Sequence, residues 1–212
     1  MTRGFALCSI AVLCFTTSIA YADSITLNVD GNGILTGARN VIVGGTPYGV
    51  DFVDGTCESV FGACDVTHFI ATDAASATLF SQALLDQVFI DGSAGPFDSL
   101  PNRTFGCGPA TLQSAGAICI VWTPFGTILG GSLGTEIRIS EAVNWYPSGI
   151  DFDEIVTTSA ILAYDSSTPG TDNDLGRVVW AKWSTVPEPS TLALLPLGLI
   201  GIGAVRRLRR KA

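Results

Sequence analysis

Asp151, Asp153 and Glu154 lie close enough in the chain to supply a carboxylate pair, and Asp172, Asn173 and Asp174 form an oxygen-rich stretch between Pro169-Gly170 and Gly176. Glycoside hydrolysis needs two carboxylates about 5 to 9.5 Å apart across a cleft, a separation that chain neighbours rarely provide. A secreted hydrolase acting on polysaccharide is therefore a secondary reading. Aspartate and asparagine oxygens suit calcium, but residues 172–174 lack the twelve-residue EF-hand frame and its closing Glu. A solvated turn is the simpler expectation there, with a calcium-stabilised binding module as its functional alternative. His68 is the only histidine and is expected within a strand. Gly92-Ser93-Ala94-Gly95 has the wrong spacing for a nucleophile elbow, so a Ser-His-Asp set is not expected. No catalytic residue is assigned, the chain is not expected to be an enzyme, and no cofactor is expected apart from that candidate calcium.

Cys8 and Cys14 fall in the N-terminal apolar run, leaving Cys57, Cys64, Cys107 and Cys119 in the body. An even count in an exported chain predicts two disulfides. Three connectivities are open, and the local pairs Cys57 with Cys64 and Cys107 with Cys119 are favoured because short loops cost little to close. No C-x-x-C pair joins the single histidine to make a zinc set. Trp180 and Trp183 are three apart and would point to opposite faces of a strand, as would adjacent Trp145 and Tyr146, so no sugar-stacking platform is evident. Trp122 is expected in the core, and Asn102-Arg103-Thr104 has the form of a glycosylation acceptor.

The elements that must position these residues are strands. Ser24 to Val29 and Ile34 to Val43 alternate around Asp30-Gly31-Asn32-Gly33, and Gly44-Gly45-Thr46-Pro47 leads into Tyr48 to Val53, a three-strand meander. Val66 to Thr72 reads as a further strand. Ala74 to Phe89 changes to helical spacing, with Leu79, Phe80, Ala83, Leu84, Leu85 and Val88 as its apolar set and Thr72 or Asp73 as its cap. Asp91 to Gly116 has no period and is expected to be a loop pinned by Cys107. Ala117 to Thr123, Thr127 to Leu133, Thr135 to Tyr146, Glu154 to Tyr164 and Gly176 to Trp183 then read as strands. The fold class expected is mainly β, an antiparallel β-sandwich or twisted sheet with one covering amphipathic helix.

The chain has 212 residues with 14% charged side chains, low against about 25% for a typical soluble domain. Between residues 23 and 186 there are 18 acidic and 5 basic residues, a net charge of −13 that argues against binding nucleic acid. Neutral polysaccharide and divalent cations remain as partners. Arg3 precedes an apolar run closed by Ala20-Tyr21-Ala22, the pattern of a secretory signal peptide over residues 1–22. At the other end Pro187-Glu188-Pro189 precedes an apolar stretch from Ser190 to Val205 and the basic tail Arg206, Arg207, Arg209, Arg210 and Lys211. As helix those sixteen residues would reach about 24 Å, enough for a transmembrane span if flanking side chains snorkel. The cations would keep the C-terminus in the cytoplasm and the body outside.

That order of triplet, apolar helix and arginine cluster over Val186 to Ala212 resembles the PEP-CTERM sorting signal of Gram-negative bacteria that make extracellular polysaccharide. The resemblance implies an exosortase-type membrane enzyme as processing partner. Leu35-Thr36-Gly37-Ala38, Val43-Gly44-Gly45 and Asp54-Gly55-Thr56-Cys57 also resemble a module recurring in such proteins, which implies no activity. The organisation expected is a signal peptide (1–22), a β-rich exported domain (23–185) and a sorting signal (186–212). Its function is expected to be that of a structural or adhesive cell-envelope or extracellular-matrix protein. It would be anchored transiently in the inner membrane before processing and reside afterwards at the cell surface or in the matrix.

Overall fold

A computed structural model describes residues 24–107, 117–131, 134–146, 152–161 and 178–186. Residues 1–22, expected as a signal peptide, lie outside them, as do Asp151, residues 172–174, the Pro187-Glu188-Pro189 triplet, the apolar stretch and the basic tail.

The first three strands form the meander: β1 (Thr26–Val29), β2 (Leu35–Val43) and β3 (Thr46–Val53), each antiparallel to the next. Asp30 closes the first turn by accepting the backbone N–H of Asn32 at 2.8 Å and of Ile34 at 2.9 Å. The second turn is two residues long, Gly44 and Gly45, with φ of 56° and 86°. Positive φ at both central residues is the primed turn that matches strand twist, and glycine adopts it without a Cβ penalty.

Thr56 then caps a five-residue helix, α1 (Cys57–Phe61), by accepting the N–H of Ser59 at 3.2 Å. The strand expected from Val66 to Thr72 does not form. The Asp65 carboxylate accepts the N–H of Thr67 at 2.8 Å, and the Asp65 carbonyl accepts that of His68 at 3.1 Å, making a local turn. Phe69 and Ala71 are buried all the same. Their alternation reflects packing onto the sheet rather than pairing within it.

Helix α2 (Ala74–Gln87) starts at Asp73, which accepts the N–H of Ser76 at 2.8 Å while its own N–H donates to the Ser76 hydroxyl at 3.3 Å. This reciprocal cap satisfies two donors that the first turn leaves orphaned. Ala77, Phe80, Ser81, Ala83 and Leu84 are buried, whereas Leu79, expected on the apolar face, is 54% exposed. At the far end the Gln87 amide exchanges two 2.9 Å hydrogen bonds with the backbone of Ile42, beyond the reach of the short β1. The stretch expected as loop carries a small ribbon, β4 (Asp91–Gly92) with β5 (Gly95–Pro96), and a 3-10 turn at Pro101–Arg103.

Two expected strands merge into one, β6 (Ala117–Gly131), whose pairing with β7 (Gly134–Tyr146) shifts register between Pro124 and Gly126 and again between Ile128 and Gly131. β8 (Glu154–Ile161) pairs with β7, and β9 (Val178–Thr185) lies between β3 and β6. The seven strands run in the order β1-β2-β3-β9-β6-β7-β8. The sheet is mixed rather than wholly antiparallel, because β9 enters between β3 and β6 running antiparallel to the first and parallel to the second. The described strands form this one large sheet and the two-stranded ribbon.

Its centre is covered on both faces. Val179, Ala181 and Trp183 of β9 pack with Phe80 and Leu84 of α2 in one cluster, while Val178 and Trp180 pack with Trp122, Phe69 and α1 in another. A strand buried on both faces needs a near-continuous apolar run, and Val178-Val179-Trp180-Ala181 supplies one. The larger cluster extends under α2 through Phe52, whose ring stacks on Phe89 at 5.8 Å, and through Trp183, 4.8 Å from Phe80. The cysteines join Cys57 to Cys64, closing a loop that contains α1, and Cys107 to Cys119, pinning the loop to β6.

Candidate functional site

Three of the four tryptophans are spent on the core. Trp122 and Trp180 meet edge to face at 5.1 Å, Phe61 adds a second edge contact to Trp180 at 5.7 Å, and the Trp180 indole donates to the carbonyl of Gly55 at 2.8 Å. Trp183 donates to the Thr123 hydroxyl at 3.2 Å on the other face. Pairing of β6 with β9 ends at Trp122 and Trp180, and beyond it Pro124 has no N–H to offer a ladder. A cavity of about 70 Å³ opens there, lined by His68, Lys182, Pro124 and Trp183 among others. It is far below the roughly 300 to 1,000 Å³ of typical ligand pockets.

Lys182 and His68 at that cavity both have partners within the fold. Lys182 donates to the carbonyl of Val60 at 2.8 Å. His68, in a turn and not in the strand expected, sets Nδ1 3.2 Å from Asp65 and 3.1 Å from the Thr67 hydroxyl. The Thr67 hydroxyl and N–H, followed by His68, hold the Asp65 carboxyl below its ordinary value. Since the Thr67 hydroxyl donates to Asp65, this triplet is a turn lock and not an activated nucleophile. The G-x-S-x-G spacing that Gly92-Ser93-Ala94-Gly95 lacks does occur elsewhere in the chain, at Gly130-Gly131-Ser132-Leu133-Gly134. It joins strand to strand between β6 and β7, whereas a nucleophile elbow joins strand to helix.

Of the carboxylates expected as a pair, Asp151 lies outside the described residues. Asp153 lies at the start of β8 and accepts the N–H of Trp145 at 3.3 Å, which closes the hairpin, and Glu154 begins the strand. Glu136 accepts the Ser159 hydroxyl at 2.8 Å and Glu141 accepts the Trp122 indole at 3.1 Å, both as acceptors within the sheet. Among the described residues no group of three His, Cys, Asp or Glu is placed to hold a metal ion, and Asp172, Asn173 and Asp174 lie outside them. Asn102 sits in the 3-10 turn with its side-chain carbonyl oxygen buried.

One surface feature escaped the sequence reading. Phe152 donates its N–H to the carbonyl of Trp145 at 2.9 Å, and the two rings lie 5.8 Å apart at 41°. Trp145 is 37% exposed and Phe152 53% exposed, with the carboxylates of Asp153 and Glu154 next in the chain. Pairing the strand ending at Tyr146 with the one starting at Glu154 would have brought these rings opposite each other. Treating each strand alone hid them.

The remaining candidate is the C-terminal signal. β9 pairs with β3 up to Thr185 opposite Tyr48, so the fold reaches to within two residues of Pro187. No helix among the described residues is long and apolar enough to cross a membrane, and Ser190 to Val205 lie outside them. Searches of curated proteins and of solved structures found no match to the chain. A family model, the PEP-CTERM protein-sorting motif, matches residues 185–210. The chain thus carries a PEP-CTERM protein-sorting motif at its C-terminal end, and that motif implies export and sorting by exosortase.

Proposed function

We propose that the exported body is a structural or adhesive component of the cell surface or extracellular matrix, and that its contact with a neutral polysaccharide is made by Trp145 and Phe152. The observation that carries this reading is the exposed ring pair flanked by Asp153 and Glu154. Aromatic faces stack on the apolar faces of sugar rings, and carboxylates accept sugar hydroxyls. The body's net charge of −13 favours an uncharged polymer over an anionic one. Asp153 is tied into the hairpin by the Trp145 N–H, which makes it a positioning and accepting group. The tail would hold the body at the inner membrane until exosortase removes it.

The test is co-sedimentation of the secreted protein with its host's own extracellular polysaccharide. Binding that is lost in the double variant Trp145→Ala with Phe152→Ala, at unchanged melting temperature, supports the proposal. Equal binding by both proteins contradicts it.

A further inference from the structure

The last strand among the described residues is the middle strand of the sheet, and it alone carries the hydrogen-bonded connection between the β1–β3 half and the β6–β8 half. On its β3 side the pairing runs without a register shift from Trp180 opposite Val53 to Thr185 opposite Tyr48. Thr185 is also the first residue of the sorting motif. Only Val186 separates that rung from Pro187.

An enzyme that holds an extended segment does so through backbone N–H and C=O groups, and groups already engaged in a ladder cannot serve a second partner. Pro187 and Pro189 have no N–H. Within and before the triplet the backbone donors therefore come from Glu188, Val186, Thr185 and Ser184, and the next donor after it is Ser190. We infer that Ser184 to Val186 belong to the segment the sorting enzyme must hold, and that the pairing of Ser184 with Gly49 and of Thr185 with Tyr48 opens before the tail is removed. The competition is over backbone hydrogen bonds and precedes the breaking of any bond. It rests on the exosortase processing described above.

The fold suits such an opening. The side chains of Ser184 and Thr185 are exposed, and Gly49, opposite Ser184, has no side chain to pack against it. One step further in, Trp183 is buried against Phe80 and bonded to Thr123. Fraying is thus cheap for two residues and costly at the third. Tyr48, whose ring meets Phe80 at 5.0 Å, is the main anchor on the β3 side of the rung.

The test follows tail removal from the full-length chain by pulse-chase in a host that processes such tails. A flexible insert of about eight Gly and Ser residues between Ser184 and Thr185 leaves the motif intact and frees it from the ladder. A cross-link made by Tyr48→Cys with Thr185→Cys locks the rung, while Tyr48→Cys alone controls for the lost ring and Thr185→Cys alone for the changed motif residue. The expected result is faster removal with the insert and removal slowed at least about tenfold by the cross-link relative to either single cysteine. Equal rates in all of these chains would overturn the inference while leaving exosortase processing intact. Retention of the tail by every chain, the unaltered one included, would overturn both.

Discussion

Trp122 and Trp180 are opposite one another in the only parallel pairing among the described strands, and their rings meet edge to face at 5.1 Å. This contact joins the two halves of the sheet on the face that α1 covers. Trp180 has no exposed surface and its indole satisfies the carbonyl of Gly55. Trp180→Ala should cost about 3 to 5 kcal/mol, as large-to-small changes at buried aromatics do. On a chain of this size that lowers the melting temperature by about 6 to 20 °C. Trp180→Phe keeps most of the packing and should lose much less. Thermal melts of the two variants check the order, and equal losses would mean that the indole hydrogen bond dominates.

The disulfides act on different parts of the fold. Cys57–Cys64 closes a loop of sequence separation 7 that contains α1, and Cys107–Cys119 one of separation 12 reaching into the larger core cluster. Loop-closure entropy assigns each about 2 to 3 kcal/mol. Cys57→Ser with Cys64→Ser should lower the melting temperature while leaving the α2 side intact. Proteolysis near residues 57–64 should rise in that variant and not in Cys107→Ser with Cys119→Ser.

Acid should weaken the fold in a defined window. The N–H of Ser76 holds the Asp73 carboxyl below its ordinary 3.8, the Thr67 hydroxyl does the same for Asp65, and the N–H of Ile34 does so for Asp30. A carboxyl lowered in the folded state stabilises fully above its unfolded value, and that stabilisation is lost as pH falls through the folded value. Stability should therefore decline below pH 3.8 and continue to fall through the lowered values. Asp73→Ala should be less stable at neutral pH, with fraying at the start of α2, and its further loss on acidification should be smaller. Circular dichroism melts across this range measure both.

The surface aromatics should separate binding from stability. Trp145→Ala with Phe152→Ala removes two partly exposed rings at a hairpin end and touches neither core cluster. The expected outcome is a melting temperature within a few degrees of the parent and polysaccharide binding weakened at least about tenfold, the scale of a binding hot spot. A large fall in stability would show that the rings serve the hairpin instead.

How far the sequence reveals this arrangement depends on the range of each interaction. The Gly44-Gly45 turn and the Asp73 cap are set within a few residues, and both are legible in the chain. Phe69 and Ala71 misled because alternation marks burial on a sheet face as well as membership of the sheet. Helix α1 is too short to carry a period and depends on Thr56 and the Cys57–Cys64 link. The place of β9 between β3 and β6 is a choice among non-local pairings, which local pattern cannot rank. The meeting of Trp145 with Phe152 follows only once β7 and β8 are paired. The sorting motif is legible because it is read as a linear order of unlike parts.

Export and tail removal are tested most directly by the intact mass of the protein recovered from the secreted fraction of a host that processes such tails. The account predicts a chain that has lost its first 22 residues, ends between Val186 and Pro189, and is four hydrogens lighter than its fully reduced form. A secreted or membrane-bound mass extending through Ala212, with no shorter species, would contradict it.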